Sequence, residues 1–257
     1  MELTFYKYQG TGNDFVMIDN RALSFPKDDV VLIERLCNRK FGVGADGLIL
    51  LENDAMTDFK MVYYNADGNE SSMCGNGGRC IVAFANFLSI IASETTFMAV
   101  DGLHSATIIK DEVKLQMQNV EEIKEKEEYA FLNTGSPHHV QLVANLDEYN
   151  VVDEGRKLRY GLYGKAGSNI NFVTQTNDGY SVRTYERGVE DETLACGTGV
   201  TAVAIAMHKT GKTTKTSIPI KVEGGNLKVS FDVNEIGYQN IFLEGPAKQV
   251  FKGEIKW

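Results

Sequence analysis

The chain has no apolar run long enough to cross a bilayer. Its longest such stretch, Ile81 to Ile91, is broken by Asn86 and Ser89, and a spanning helix needs about 20 residues. Met1-Glu2-Leu3-Thr4 leads directly into a strand-like run, with no basic segment ahead of an apolar one. No secretory leader and no membrane partner are therefore expected. Basic charge is also scarce: 26 Lys and Arg stand against 35 Asp and Glu, a formal net charge of −9. Phosphate backbones require clustered Lys and Arg, so this balance argues against a nucleic-acid partner. An anionic small substrate stays open, because a local site can oppose the overall field. Cysteines are few, at Cys37, Cys74, Cys80 and Cys196. None forms a C-x-x-C pair, which leaves no zinc spacing. A disulfide framework is not expected in a chain of this length without a leader. The reading is reduced thiols in the cytoplasm.

What is present suffices for one large domain or two compact ones: 257 residues, 43% hydrophobic and 24% charged. Strand-like runs at Leu3–Tyr8, Phe15–Asp19, Leu48–Glu52 and Phe59–Asn65 alternate with two helical segments. One helix is expected from Asp28-Asp29 to about Arg39, the other over Asn76–Ile91. Short alternating runs at Ser105–Lys110 and Glu112–Gln118 precede the most polar stretch, Glu121 to Glu128. A charge run of that kind reads as a solvated linker or surface face. It divides the chain into halves at 1–120 and 129–246, with a tail at about 247–257 expected to pack back on the first half.

The second half echoes the first. Glu70-Ser71-Ser72-Met73-Cys74-Gly75-Asn76-Gly77 matches Glu192-Thr193-Leu194-Ala195-Cys196-Gly197-Thr198-Gly199, both E-x-x-x-C-G-(N/T)-G, at an offset of 122 (196 − 74). Gly12 to Val16 sits opposite Ser136 to Val140 at an offset of 124 (136 − 12). Two echoes at nearly one offset indicate an internal duplication. The expected result is two similar α/β halves facing each other across a cleft, a common location for a ligand site.

Each cysteine of the repeat precedes a Gly-x-Gly segment that opens a helix. The glycines let backbone approach a ligand, and the first helical turn offers unpaired N–H groups and a positive dipole end. Such a turn holds a carboxylate and favours thiolate over thiol. Two of them would place two acid–base thiols beside one carboxylate, as inversion of the neighbouring carbon requires. The N–H groups would stabilise the second negative charge that builds on the carboxylate as the α-proton leaves. No metal or organic cofactor is expected. Cys37 and Cys80 lack the glycine context and read as structural.

Other signals are weaker. Gly42-Val43-Gly44-Ala45-Asp46-Gly47 has the form G-x-G-x-x-G, but it follows a helix and leads into a strand, the reverse of a dinucleotide site. His138 and His139, adjacent on a strand, point to opposite faces and do not form a metal pair. Taken alone, Glu186-Arg187 is a surface ion pair, and Asn13 and Asn65 are turn residues. His104 and His208 have no supporting context.

Taken in order, Gly10-Thr11-Gly12-Asn13-Asp14-Phe15, Asn65-Ala66-Asp67-Gly68-Asn69-Glu70, Cys74-Gly75-Asn76-Gly77-Gly78-Arg79-Cys80, Tyr185-Glu186-Arg187-Gly188 and Ala195-Cys196-Gly197-Thr198-Gly199 resemble the diaminopimelate epimerase family along the whole chain. The resemblance implies an α/β fold of two pseudo-symmetric halves, each a mixed sheet wrapped around a central helix. It implies an isomerase that interconverts L,L- and meso-2,6-diaminopimelate without a cofactor, in lysine and peptidoglycan precursor synthesis. Cys74 and Cys196 would be the catalytic pair. Gly75, Asn76, Gly197 and Thr198 would hold the reacting carboxylate, and Asn13, Asn65, Asn171, Glu186 and Arg187 the rest of the substrate. Arg187 suits the distal carboxylate through a bidentate fork, and His138 would orient or tune. Family habit implies a homodimer. Two departures touch the distal end: Ser136 stands where members often have Asn, and Gly47 where some have Gln. The alternatives are a proline or hydroxyproline racemase of the same fold and a non-catalytic amino-acid binder.

Overall fold

The computed structural model describes residues 2–71 and 73–256. The chain divides into two compact units, Met1–Leu115 with Gly245–Trp257, and Gln116–Glu244.

The first unit runs β1 (Glu2–Gly10), β2 (Asn13–Asp19), α1 (Val30–Cys37), β3 (Gly47–Glu52), β4 (Phe59–Asn65), α2 (Gly75–Phe87), β5 (Glu94–Ala99), β6 (Gly102–Ile109) and β7 (Glu112–Gln116). β2 and β3 are parallel, as are β4 and β5; the β1–β2, β3–β4, β5–β6 and β6–β7 pairs are antiparallel. The parallel pairs are those with a helix inserted, since a parallel return needs a crossover. Strand side chains alternate between faces. Val16, Ile18, Leu48, Leu50, Val62 and Tyr64 therefore meet Leu32, Ile33 and Leu36 of α1, while Ile49 and Met61 turn to α2 at Gly77. β3 lies between the two helices, so all six of its residues are buried. Gly78 lies beside Leu115 of β7, so the sheet wraps around α2. That enclosure explains why ten residues of α2 are buried.

The second unit repeats this order. β8 (Ile123–Glu125), β9 (Tyr129–Asn133), β10 (Pro137–Leu142), α3 (Val151–Gly161), β11 (Asn169–Gln175), β12 (Tyr180–Glu186), β13 (Asp191–Thr193), α4 (Gly197–Lys209), β14 (Ser217–Val222), β15 (Gly225–Val233) and β16 (Tyr238–Pro246) follow in turn. β10–β11 and β12–β14 are parallel, each across an inserted helix, and β9–β10, β11–β12, β14–β15 and β15–β16 are antiparallel. Val151 of α3 packs with Ile170, Phe172 and Tyr185 on one face of the sheet. α4 contacts β9, β10, β11, β14 and β15 and is buried from Val200 through Met207. The last strand, β17 (Lys248–Lys256), returns to pair antiparallel with β1 in the first unit.

The repeat extends to single residues. Tyr64 bridges Glu70, and Tyr185 pairs with Glu192 in the same antiparallel sense, so the glutamate opening each E-x-x-x-C segment is anchored alike. The charged run after Val120 is a surface face carried partly on a strand rather than a linker without structure. Ile123–Glu125 forms β8 and pairs with β9; an edge strand tolerates a charged exposed face. The predicted helix from Asp28-Asp29 begins at Val30, because the Asp29 carboxylate accepts from Leu32 N and caps it.

Candidate active site

Both repeat cysteines occupy the position just before their helix. Cys74 (φ −108°, ψ 147°) and Cys196 (φ −118°, ψ 107°) are extended, and their carbonyls accept the first helical bonds from Gly78 N at 2.8 Å and Val200 N at 2.9 Å. Such residues leave the following N–H groups without intrahelical partners. The Cys74 sulfur accepts one of them, Gly77 N, at 3.2 Å. The Cys196 sulfur lies 3.5 Å from Thr198 Oγ1. Cys37 and Cys80 are buried, and desolvation pushes the Cys37 thiol up to about 12 and the Cys80 thiol higher still. Neither is suited to proton transfer near neutrality.

In the first unit, Asn13, Asn76 and the α2 turn form one hydrogen-bonded chain. Asn76 Nδ2 donates to Asn13 Oδ1 at 3.3 Å, and Asn13 Nδ2 donates to Asp46 Oδ2 at 2.6 Å. Asp46 is held by Arg39, which also pairs with Asp14, while Lys7 bridges Asp14 and the Gly44 carbonyl. At the other end, Arg79 Nη2 donates to Asn76 Oδ1 and Thr11 Oγ1, each at 3.0 Å, and its Nη1 donates to the Gly75 carbonyl at 3.2 Å. Asn65 ends β4 in a turn closed by its backbone bonds with Gly68 and Asn69 and pairs in register with Gly47. A Cβ at Gly47 would meet the Tyr63 ring and the Tyr64 carbonyl at 2.5 Å. The place of the side chain that Gly47 lacks is thus taken by Tyr63.

In the second unit the polar centre is His138, fully buried. Asn171 Nδ2 lies 3.2 Å from His138 Nδ1 and donates to the His139 carbonyl at 2.8 Å. Nδ1 is then the acceptor, which puts the ring proton on Nε2, 3.0 Å from both Ser136 Oγ and Thr198 Oγ1. Burial, and then the charge of Arg187, depress His138 to about 3, so the ring is neutral. Asn169, absent from the sequence-based site, donates to Ser136 Oγ at 2.9 Å and accepts from Arg187 N at 2.9 Å. Glu186 accepts from Thr193 Oγ1 at 2.8 Å, and Arg187 Nη1 donates to the Ala166 carbonyl at 2.9 Å. The hydroxyl of Thr134 donates to the Thr198 carbonyl at 2.8 Å, fixing the turn that follows Cys196. His139 points away, to Tyr163 and a stacked Tyr129.

Of the residues singled out from the sequence, the structure brings Asn13 and Asn76 together in one unit, and His138, Ser136, Asn171 and Thr198 together in the other; sequence reasoning had not grouped them so. It passed over Asp46, Arg79, Tyr63 and Asn169. Arg79 alone carried a legible signal, since it is the one charge inside the first C-G-x-G-x-x segment and Thr201 is its counterpart in the second.

The family model described as diaminopimelate epimerase matches residues 5–123 and 130–250. A diaminopimelate epimerase of Flavobacterium psychrophilum is 64% identical over 253 residues, covering 97% of this chain and 99% of that protein. One of Chlorobaculum tepidum is 42% identical, covering 96% and 98%. Among solved structures, a PhzF-family phenazine biosynthesis protein of Bacillus anthracis superposes with a TM-score of 0.79 at 14% identity, covering all of both chains. A hydroxyproline epimerase of Agrobacterium vitis, crystallised with trans-4-hydroxy-L-proline, gives 0.71 at 15% identity over 99% of this chain and 92% of that one. At such identities the likeness is one of fold.

Proposed function

The chain belongs to the diaminopimelate epimerase family, and from that premise we propose that it interconverts L,L- and meso-2,6-diaminopimelate using Cys74 and Cys196. One observation carries the reading: two cysteines stand at the same position before two matched glycine-led helices. A thiolate takes the α-proton from one face of the carbon and a thiol delivers a proton to the other. General acid–base transfer of this kind contributes roughly 10²–10⁴-fold. The N–H groups at Gly75-Asn76 and Gly197-Thr198 hold the carboxylate and stabilise the charge that grows on it. Asn13, Asn65, Asn171 and Glu186 hold the remaining polar groups of the substrate. The exposed Arg187 takes the distal carboxylate.

Ser136 and His138 are proposed to support this set, because they fix Thr198 at 3.4 and 3.0 Å. The chemistry belongs to cytoplasmic synthesis of lysine and peptidoglycan precursors. A homodimer is proposed as well, with Val250 and Phe251, exposed on β17, as apolar surface for a second copy to cover; sedimentation tests it.

Incubation in D₂O with L,L-diaminopimelate, proline and hydroxyproline tests the substrate. Deuterium is expected at the α-carbon of diaminopimelate alone. Exchange into proline alone would assign the chain to the racemase branch, and no exchange into any of them would leave a binder.

A further inference from the structure

Arg187 lies in the turn 187–190 that joins β12 to β13, where Glu186 and Asp191 pair across the base. A long, exposed side chain on a turn ordinarily loses much rotamer freedom when it binds. Here the residue is fastened in advance at both ends. Its backbone N–H donates to Asn169 Oδ1 at 2.9 Å, and its Nη1 donates to the Ala166 carbonyl at 2.9 Å. Among the described residues nothing accepts from the Nε–Nη2 edge, and that edge is a fork able to grip a carboxylate by two parallel bonds. We infer that Glu190, tied to the buried Arg159, is the positioning residue for this fork: acting through Arg187, it selects substrates that carry a second carboxylate.

Glu190 holds the backbone on both sides of Arg187. Its N–H donates to the Glu186 carbonyl at 2.8 Å, and its Oε1 accepts from Gly188 N at 3.1 Å. Glu190 has φ 58° and Gly188 φ 94°. A β-carbon disfavours the left-handed conformation at Glu190, and such a residue persists where its surroundings over-determine it. The surroundings are the core of this unit. Oε1 also accepts from Arg159 Nε at 3.1 Å, and Oε2 accepts from the hydroxyl of the buried Tyr185 at 3.2 Å. Arg159 stands in the last turn of α3 and is itself buried. Its Nη1 donates to the Gly164 carbonyl at 2.8 Å, in the loop whose Ala166 carbonyl receives Arg187. One guanidinium thus joins the turn that bears Arg187 to the loop that steadies it. The packing leaves no slack there, since a Cβ at Gly167 would collide with the Arg159 guanidinium. Fully exposed ion pairs set little; this one is largely enclosed and charge-assisted, which fixes direction.

This deepens the reading of Arg187 as the grip on the distal carboxylate and rests on it. A fork already aimed gives up less freedom on binding, so the gain is in affinity. Glu190 touches neither thiol, and its loss is therefore expected chiefly in KM.

The test is a double-mutant cycle on Glu190→Ala and Arg187→Ala, read as kcat and KM for diaminopimelate, together with amide exchange over the turn in the substrate-free protein. Arg187→Ala is expected to lower kcat/KM about 100-fold and Glu190→Ala about tenfold. Because Glu190 acts through Arg187, adding Glu190→Ala to Arg187→Ala should change KM by less than about twofold. Exchange over residues 187–190 should quicken in Glu190→Ala while α4 keeps its protection. Glu190→Gln retains an acceptor without the charge; it should fall between wild type and Glu190→Ala, and it carries the test if the alanine variant does not fold. Effects that add in the double variant would mark Glu190 as general support and overturn the inference. A folded Glu190 variant with KM and exchange unmoved overturns it too. If the wild type does not act on diaminopimelate, or Arg187→Ala leaves kcat/KM unchanged, the reading of Arg187 itself has failed and the inference falls with it.

Discussion

Set side by side, the first turns of α2 and α4 agree in backbone and differ in what stands behind it. Each opens on an extended cysteine and a glycine, and each is enclosed by its own sheet. Behind α2 is a polar chain that ends in ions: Arg79, Asn76, Asn13, Asp46, Arg39, Asp14 and Lys7. Behind α4 is a neutral one: Thr198, His138, Ser136, Asn169 and Asn171. Duplication preserved the geometry that creates free N–H groups, while the supporting side chains diverged. The N–H device depends on backbone alone, so it survives substitution of everything except the residues that must be small.

The largest expected effect treats the halves alike. Cys74→Ala and Cys196→Ala should each lower kcat by about 10²–10⁴-fold, measured by polarimetry or by chiral separation of the diaminopimelate isomers. If either variant keeps full activity, the halves are not equivalent in chemistry.

The next separates them. Gly77 and Gly199 correspond, yet a Cβ at Gly199 would stand 2.5 Å from Asn171 Oδ1, while one at Gly77 would meet only side-chain ends at 3.1–3.3 Å. Asn171 is held by Thr184, His138 and the His139 carbonyl and cannot withdraw. Gly199→Ala is expected to cost about 1–3 kcal/mol. In Gly77→Ala the gain of about 1 kcal/mol in helix propensity offsets most of the crowding. Thermal melts should therefore rank Gly199→Ala well below Gly77→Ala; the reverse order would mean that the second turn is the more yielding one.

Acid should also separate the halves. Burial holds His139 near 4 against a weaker opposing bond from Gln141, and burial with the charge of Arg187 holds His138 near 3, both from an ordinary 6.5. Below pH 6.5 the unfolded chain binds protons that the folded one refuses. Their contribution is thus intact above 6.5 and is lost as pH falls from 6.5 toward 3 to 4. Asp14 runs on a different window. Burial opposes its ionisation, but the hydrogen bonds from Arg39 and Lys7 outweigh burial and lower it from 3.8 to about 2. Its stabilisation is intact above 3.8 and is lost only between there and 2. Amide exchange corrected for intrinsic rates should show β10 and β11 losing protection near pH 5, while β1 and β2 keep theirs. Simultaneous loss would count against this ordering.

The smallest effect is Thr201→Val, which removes the bond to the Gly197 carbonyl at near-constant volume. It is expected to cost about 1 kcal/mol in chemical denaturation. A larger loss would mark Thr201 as more than a neutral counterpart of Arg79.

Much of this was legible in the sequence because it is written locally. The E-x-x-x-C-G-x-G repeat, the aliphatic and aromatic runs of β3 and β4 and the apolar helices each depend on neighbours in the chain. What was not legible depends on distant ones. Nothing beside Arg79 in the sequence shows that Thr11 and Asn76 receive its guanidinium, or that the sheet closes around it. Tyr63 over Gly47 is a cross-strand relation, set by register. Asn169 gains its role from the parallel pairing that puts it beside His138. β8 was missed for the opposite reason, since local charge concealed a strand that pairing with β9 supports.

The central claim is that two thiols act on opposite faces of one carbon, and isotopic labelling early in the reaction tests it most directly. In D₂O, with L,L-diaminopimelate and conversion kept low, the meso product should carry one α-deuterium while recovered L,L substrate carries none, because the group that removes the proton is not the one that returns it. Deuterium entering the recovered substrate as fast as the product, or product that keeps its original α-hydrogen, would contradict the account.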